Sequence, residues 1–247
     1  MQIVQLSDIH IGGLFVQSVF DKVVEEVNKL QPDAIIVTGD LTDDGLMIQF
    51  EKAKKELERF VCPNIIVIAG NHDYRHTGYL LFKKFFPTKQ IHEFDDATIF
   101  TVGTARPDRD EGEVGYRQNL WTEKTLSKYP ETKPKIVAMH HHLIGIPDTG
   151  TDKIIILDAG DTLRTFLQSG VDLVLCGHKH RPWMWNLGRL AIAYAGTTSS
   201  LRFRGFFENC YNIIEVGKGK KPQVDIKIVG KKRFLLSELV EGYRPFS

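Results

Sequence analysis

Five short polar clusters in this chain contain side chains that could bind metal ions. They are Asp8-Ile9-His10, Gly39-Asp40, Gly70-Asn71-His72-Asp73, His140-His141-His142 and Gly177-His178-Lys179-His180. Seven of the nine histidines of the chain lie in these clusters. Carboxylate, amide and imidazole groups are common ligands of first-row transition metals, and no cluster contains a thiolate. The clusters therefore predict a site for hard or borderline metal ions.

The number of candidate ligands favours two ions over one. Seven side chains offer nitrogen or oxygen: Asp8, His10, Asp40, Asn71, His140, His178 and His180. Seven ligands are too many for one small ion with an open position, but they suit two ions that share a bridging carboxylate. This ligand set suits Mn²⁺, Fe²⁺ or Fe³⁺, Zn²⁺ or Co²⁺. Two such ions can hold a hydroxide between them and bind a phosphoryl oxygen.

Each motif taken alone has an ordinary structural explanation. Asp-x-His is often a solvated strand end, Gly-Asp is common, and Gly-His-x-His could be a pair of surface histidines. All five clusters, however, follow short apolar runs rich in Ile and Val, at 3–6, 34–38, 65–69, 136–139 and 173–176. Such runs, bounded by Gly and polar residues, are typical of buried strands. Their shared placement favours a metal site over five unrelated structural features.

The segments between the runs predict how the strands are connected. Apolar residues recur at helical spacing in 20–30 and 50–60, and Pro32 and Pro63 follow these two segments. Alternation of strand and helix predicts parallel strands joined by right-handed crossovers. The carboxyl ends of parallel strands meet at one edge of a sheet, where ligands bind. The five clusters are therefore expected at one edge.

Spacing inside the clusters also predicts convergence. Asp8 and His10 are two residues apart, as are His178 and His180. In extended backbone the two side chains of each pair would therefore lie on the same face. A glycine precedes Asp40, Asn71 and His178. We expect these glycines to let the chain turn and approach the ions closely.

The rest of the chain predicts a single domain. Further strands are expected at 97–103, 191–195, 211–216 and 224–229, and helices at 120–129 and 163–167. The charged segment 106–115 contains glycine and is expected to be a loop that could overhang the site. Because both halves supply candidate ligands, residues 1–247 are expected to form one domain with one shared site.

Composition excludes some classes of partner. The chain has 32 Lys and Arg against 31 Asp and Glu, and a net charge of +1 gives no reason to expect long nucleic acid. Three cysteines without metal-type spacing suit a reducing compartment. Because the chain opens on a strand pattern, we expect no signal peptide, and no apolar run approaches the roughly 18 residues that span a bilayer. We expect a cytoplasmic protein without membrane contact, of open oligomeric state.

The order of the five clusters resembles that of the calcineurin-like metallophosphoesterases, most of all their cyclic-nucleotide and glycerophosphodiester phosphodiesterases. The resemblance runs from Asp8 to His180, about three quarters of the chain. It implies an α/β fold of four αββα layers, a two-sheet β-sandwich flanked by helices with a dinuclear site between sheet edges. It also implies hydrolysis of a small phosphodiester, such as a cyclic nucleotide or a glycerophosphodiester, by a metal-bridging hydroxide.

The resemblance further implies a role for each ligand. One ion would be held by Asp8, His10 and His180, the other by Asn71, His140 and His178, with Asp40 bridging the two. His140 is preferred over His141 because the family's ligand is the first His after the strand. The roles of His141, His142 and the 106–119 loop stay open.

Two further residues are implied in catalysis. His72 stands where the family places the group that contacts the phosphate and protonates the leaving oxygen, so it is the candidate general acid. Asp43 could orient His72 and keep it protonated, or it could be a helix-cap or turn carboxylate. Arg106, Arg202 and Arg204 could bind the remote end of the substrate, or they could be ordinary surface residues.

Two alternative functions share this ligand pattern. A phosphomonoesterase or lipid-precursor pyrophosphate hydrolase of the same fold would differ only at the substrate. Relatives that act on the lipid precursor tend to have Arg where His72 stands, which counts against that substrate. A non-catalytic scaffold that binds other proteins is the second alternative, and such members tend to lack ligands that are present here.

Overall fold

The computed structural model describes residues 1–86, 89–150 and 155–242. Within these ranges the strands are β1 (Gln2–Leu6), β2 (Ala34–Thr38), β3 (Ile65–Ile68), β4 (Ile91–Glu93), β5 (Thr98–Thr101), β6 (Lys135–Ala138), β7 (Leu173–Cys176), β8 (Trp183–Leu187), β9 (Leu190–Tyr194), β10 (Cys210–Glu215), β11 (Gln223–Ile228) and β12 (Arg233–Leu235). The helices are α1 (Gln17–Leu30), α2 (Met47–Leu57), α3 (Gly78–Phe85), α4 (Tyr116–Leu126), α5 (Ala159–Gln168) and α6 (Leu236–Glu241), with a 3-10 helix at His72–Tyr74.

The strands form two six-stranded sheets. The first sheet has the order β12-β11-β10-β1-β2-β3, and the second has the order β4-β5-β6-β7-β9-β8. Strands β1, β2 and β3 are parallel, as are β5, β6, β7 and β9. The antiparallel strands β10, β11 and β12 form one half of the first sheet, and the antiparallel strands β4 and β8 form the two edges of the second. The clusters therefore follow the carboxyl ends of parallel strands in both sheets, as the sequence predicts.

Side chains alternate between an inner core and two outer cores. Between the sheets, Ile3, Ile36 and Ile66 of the first sheet pack with Ile136 and Leu173 of the second. The opposite face of the first sheet packs on α1, α2 and α3, and that of the second sheet packs on α4 and α5. This arrangement is the predicted α/β fold of four layers, a two-sheet sandwich flanked by helices.

The predicted elements form with small shifts. The five strands that precede the clusters begin and end within one residue of their predicted bounds. The helix predicted at 120–129 begins earlier, at Tyr116, and the one predicted at 163–167 is extended at both ends as α5. The segment 106–115 is a loop. The sequence did not predict β4, β8, β12, α3 or α6.

The described part of the chain contains no helix that is both long and apolar enough to cross a bilayer. Cytoplasmic location and the single-domain organisation of residues 1–247 stay predictions.

Candidate metal centre

Five of the predicted ligands have left-handed backbone. The φ angles of Asp8, His10, Asp40, His178 and His180 lie between 51° and 75°. Residues other than glycine rarely adopt this conformation, which costs of order 1–3 kcal/mol at each position. We expected extended backbone to place the two side chains of each pair, Asp8 with His10 and His178 with His180, on one face. The positive φ angles show that this expectation is wrong. Convergence of the side chains comes instead from alternate residues that turn to positive φ after the strand ends.

The glycines before the ligands are needed for space. A Cβ on Gly70 would lie 2.1 Å from Asp40 Oδ1, and one on Gly39 would lie 2.4 Å from His140 Nδ1. A Cβ on Gly177 would lie 2.7 Å from Asp8 Oδ2. Each glycine thus permits one ligand segment to pack against another, which agrees with the predicted close approach.

A first group of ligand atoms converges from both sheets. His10 Nε2 and His180 Nε2 are 3.0 Å apart, and Asp8 Oδ1 lies 3.3 Å from His180 Nε2 and 4.0 Å from His10 Nε2. All three side chains are buried. Together with Asp40 they can place four ligand atoms around one ion.

A second group of ligand atoms lies beside the first. Asn71 Oδ1 is 3.1 Å from His140 Nε2 and 3.0 Å from His178 Nδ1, and those two nitrogens are 3.3 Å apart. Asp40 Oδ2 lies 3.4 Å from His140 Nε2 and 3.7 Å from His10 Nε2. This single carboxylate oxygen therefore lies between the two groups and could contact an ion held by either.

The hydrogen-bond partners of the imidazoles show that the donor set fits metal ions. The Nδ1–H of His180 donates to the Arg202 carbonyl at 2.5 Å, and the Nδ1–H of His140 donates to the Thr38 carbonyl at 2.7 Å. These partners direct the Nε2 lone pairs inward, toward His10 and Asn71, which also present lone pairs. Groups that direct lone pairs at one another in a buried space require a proton or a metal ion between them.

Charges within the cluster shift the pKa values of its members. Burial raises the pKa of the Asp40 carboxyl, but His140 and His72 outweigh burial and hold it well below the usual range. Burial alone would lower the pKa of His140, yet Asp40 raises it to about 9. Burial lowers the pKa of His10 to about 4. The centre thus keeps anionic carboxylates beside imidazoles, as a cation site requires.

Asp73 stabilises the backbone segments next to the candidate ligands Asp40 and Asn71. Its carboxylate accepts hydrogen bonds from the backbone N–H groups of Leu41, Thr42 and Gly70, at 3.2, 2.9 and 2.9 Å, and from the Thr42 hydroxyl at 2.9 Å. These groups belong to the segments that carry Asp40 and Asn71. Sequence reasoning quoted Asp73 in its motif but assigned it no role.

His72 lies at the edge of the centre. Its backbone N–H donates to Asp40 Oδ1 at 2.9 Å, and its ring meets that of His10 edge to face at 4.6 Å. Its Nδ1 lies 2.7 Å from the carbonyl oxygen of Asp43, so Nδ1–H donates there and Nε2 is the nitrogen left for a substrate. Asp43 therefore contacts His72 through its backbone, whereas the sequence interpretation used its side chain.

The Asp43 carboxylate lies against a ligand instead. Its Oδ1 is 3.2 Å from His10 Nδ1 and 3.0 Å from Nη2 of Arg202. The contact with His10 is electrostatic, without an aligned hydrogen bond. Gly12 lies directly beside this carboxylate, since a Cβ there would be 2.5 Å from Asp43 Oδ2.

The three candidate substrate-binding arginines lie in different surroundings. Arg202 is half-buried at the centre, through its contact with Asp43. Arg106 pairs within its own loop, 3.6 Å from Glu111 and 3.3 Å from Glu113. Arg204 is exposed. The structure thus brings one of the three to the ligands.

A fourth arginine, Arg75, was missed by sequence reasoning. Its Nη1 donates to the Asp43 carbonyl at 3.1 Å, the same oxygen that accepts from His72, and its Nη2 lies 3.6 Å from Asp110 Oδ1. Its position three residues after His72 is the feature of the sequence that could have identified it as a residue of the site.

The loop 106–115 reaches the centre through Asp110. The Asp110 Oδ1 atom accepts a hydrogen bond from Asn71 Nδ2 at 3.1 Å, and its carbonyl accepts one from His141 Nε2–H at 3.1 Å. His142 is buried and stacks on His178, with ring centroids 5.5 Å apart. The loop therefore overhangs the site, and His141 bonds to it.

Comparison with known proteins agrees with this geometry. Residues 1–182 match the family model described as calcineurin-like phosphoesterase. The chain is 27% identical over 265 aligned positions to a probable cyclic nucleotide phosphodiesterase of Coxiella burnetii, covering 98% of this chain and 95% of the relative. It is 27% identical to a probable glycerophosphodiester phosphodiesterase of Arcobacter nitrofigilis, covering 75% of each. A dimetal phosphatase of Danio rerio has the same fold, with a TM-score of 0.72, 10% identity, and coverage of 96% of this chain and 98% of that one.

Proposed function

Because the chain belongs to the calcineurin-like phosphoesterase family, we propose that it is a two-ion phosphodiesterase. The family and its phosphodiesterase-named relatives make the chain a metal-dependent phosphoesterase. The finer proposal concerns the number of ions and the class of ester. We propose that the substrate is a small phosphodiester, such as a cyclic nucleotide or a glycerophosphodiester.

The position of Asp40 Oδ2 carries the two-ion proposal. This atom lies 3.7 Å from His10 Nε2 in the first ligand group and 3.4 Å from His140 Nε2 in the second. Each group has its own set of inward-facing lone pairs, and one carboxylate oxygen serves both. A single ion would leave one buried set of acceptors without a cation, which is energetically costly.

The ligand types suit Mn²⁺, Fe²⁺ or Fe³⁺, Zn²⁺ or Co²⁺. Asp8, His10 and His180 would hold one ion, Asn71, His140 and His178 the other, and Asp40 would bridge them. A bound pair of ions supplies a nucleophile at neutral pH and neutralises charge on the phosphoryl group.

The residues of the chain supply the proton and the orientation. His72 presents Nε2 from a ring whose Nδ1–H is fixed on the Asp43 carbonyl at 2.7 Å. A proton held at that Nε2 can pass to the leaving oxygen, which typically contributes ~10²–10⁴-fold. Arg202 and Arg75 flank residue 43 and are the cations available to the remote end of a diester.

Two measurements test this function. Inductively coupled plasma mass spectrometry should find two bound ions per molecule of the purified chain. With Mn²⁺ the chain should hydrolyse bis-p-nitrophenyl phosphate in preference to p-nitrophenyl phosphate. Asn71→Ala should lower the metal content or the activity sharply, because it removes a ligand of one ion. Fewer than two ions together with no hydrolysis of either ester would refute the proposal. A preference for the monoester would identify a phosphomonoesterase.

A further inference from the structure

The side chain of Asn71 can bind an ion in only one of its two orientations. Its Oδ1 atom has lone pairs, whereas its Nδ2 has only N–H donors, and the two atoms are nearly the same size. In the structure Oδ1 faces His140 Nε2 and His178 Nδ1, and Nδ2 faces Asp110 Oδ1 at 3.1 Å. A carboxylate accepts hydrogen bonds and cannot donate, so it selects the orientation that turns Oδ1 inward.

We propose that Asp110 is a positioning residue that holds Asn71 in its ligand orientation, and that His141 anchors the loop that carries Asp110. This inference rests on the proposed two-ion centre. It assigns a role to the histidine next to the ligand His140 and to the loop over the site.

The contacts of His141 tie it to the loop. The hydroxyl of Thr104 lies 2.8 Å from its Nδ1, and its Nε2 lies 3.1 Å from the Asp110 carbonyl. Since a carbonyl accepts only, Nε2–H donates to it and Nδ1 accepts from Thr104. A Cβ on Gly112 would be 2.5 Å from His141 Nδ1, so the loop closes directly around the ring. The ring lies beside His140 and His178, where it could also offer a nitrogen to an ion, but its Nδ1 is bonded to Thr104, just before the loop, and its Nε2 to Asp110 within the loop.

The charge of Asp110 supports a specific role. Its side chain is 61% exposed at the edge of a centre that must admit an anionic phosphoester. A carboxylate in that position repels the substrate unless its charge is offset. Arg75 Nη2 lies 3.6 Å away and supplies the offset. The acidic residue is therefore compensated electrostatically and used as a hydrogen-bond acceptor.

Loss of the Asp110 carboxylate should weaken one ion and spare the other. Without it the Asn71 amide can rotate and present N–H groups to the second ligand group. Loss of such an outer partner typically lowers metal affinity by about 10–100-fold. The ligands Asp8, His10 and His180 make no contact with Asp110 among the described hydrogen bonds and ion pairs, so their ion should bind unchanged.

The test measures both binding steps separately. Ion-free protein is titrated with Co²⁺, and the two binding steps are monitored by calorimetry and by visible absorption. The same titration of Asn71→Ala identifies which step depends on Asn71. Asp110→Ala should weaken that step by about 10–100-fold and change its absorption spectrum. Asp110→Asn keeps an acceptor oxygen but can also turn an N–H toward Asn71 Oδ1, so it should restore only part of the affinity. Glu111→Ala, which removes the neighbouring carboxylate of the same loop, is the matched control.

A second variant tests the anchoring role. His141→Ala should weaken binding of the same ion. The double variant His141→Ala with Asp110→Ala should bind that ion with no lower affinity than the single variant that binds it less tightly. Thermal denaturation of each variant confirms that it is folded. Two ions in the wild type with unchanged constants in Asp110→Ala would overturn the inference and leave the two-ion proposal standing. A single ion in the wild type would overturn the two-ion proposal itself.

Discussion

The guanidinium of Arg202 forms an ion pair with the Asp43 carboxylate, with Nη2 3.0 Å from Oδ1. The same carboxylate oxygen lies 3.2 Å from His10 Nδ1, and the Arg202 carbonyl accepts a hydrogen bond from His180 Nδ1–H at 2.5 Å. Both imidazoles of the first ligand group, His10 and His180, therefore contact this one pair of residues. The pair lies outside the ligand motifs, and its two members are far apart in the sequence.

Asp43→Asn should weaken the ion held by His10 and leave the action of His72 unchanged. The substitution removes the charge beside His10 Nδ1, but the backbone carbonyl that accepts from His72 stays in place. We expect about 10–100-fold weaker binding of that ion, measured by titration of the ion-free protein. At saturating metal, the dependence of rate on leaving-group pKa should match the wild type.

Arg202→Ala should weaken the same ion, because it frees the loop whose carbonyl orients His180 and lets the Asp43 carboxylate move away from His10. Arg204→Ala removes an exposed arginine two residues away and is the matched control. A steeper leaving-group dependence in Asp43→Asn, with unchanged metal affinity, would show instead that the carboxylate acts through His72.

His72→Ala should keep both ions and slow poor leaving groups most. The side chain is not among the proposed ligands, and its Nε2 is the proton donor of the proposed mechanism. Diesters with a p-nitrophenyl leaving group need little proton transfer, whereas alkyl diesters should lose ~10²–10⁴-fold. Rates are compared across a series of leaving groups at saturating Mn²⁺. Equal losses across the series would exclude the general-acid role.

The sequence predicted the strands and the convergence of the candidate ligands because both leave strong local patterns. Runs of Ile and Val ending in Asp8, Asp40 or His178 mark buried strands with polar ends. The left-handed backbone at these ligands was not predicted, since residue type constrains φ only weakly outside Gly and Pro. The partners of Asp43 and Asp110 also escaped prediction, because the paths of loops set them and no periodicity encodes those paths.

Short peripheral elements were missed for a related reason. The strand β8 follows Pro182 directly and has only one buried residue, Trp183, so its apolar alternation is incomplete. The helix α3 is eight residues long and contains two lysines near its end. Tertiary packing on the first sheet, through Phe82, stabilises it more than its own pattern indicates.

Gly70→Ala should disrupt the bridging carboxylate. The new Cβ would lie 2.1 Å from Asp40 Oδ1 and 2.4 Å from the Asp40 backbone nitrogen, so the two segments must separate. Because Asp40 serves both ligand groups, we expect loss of both ions, measured as metal content after gel filtration. Gly13→Ala is the control, since a Cβ there meets nothing within 4 Å. Full metal content in Gly70→Ala would show that the bridge tolerates the displacement.

Metal binding at the second ligand group should depend on pH. In the ion-free chain Asp40 raises the pKa of His140 to about 9 against the effect of burial, so the ring is protonated at pH 7. An ion must displace that proton, and affinity should therefore rise with pH, by about 50-fold between pH 7 and 9. His10, with a pKa lowered to about 4, has no proton to lose in that range. Calorimetry in buffers of different ionisation enthalpy counts the released protons, and a pH-independent constant would contradict this prediction.

Asp73→Asn should destabilise the ion-free protein. The fully buried Asp73 carboxylate accepts from three backbone N–H groups and the Thr42 hydroxyl. An asparagine has one acceptor oxygen and turns an NH₂ group toward these donors, which leaves at least one buried N–H unpaired. Such a group costs about 1–3 kcal/mol of the free energy of unfolding. Urea denaturation in the presence of a chelator measures this loss apart from metal binding, with the exposed Asp161→Asn as control. Equal stability of the two variants would mean that the segments carrying Asp40 and Asn71 hold their conformation without the carboxylate.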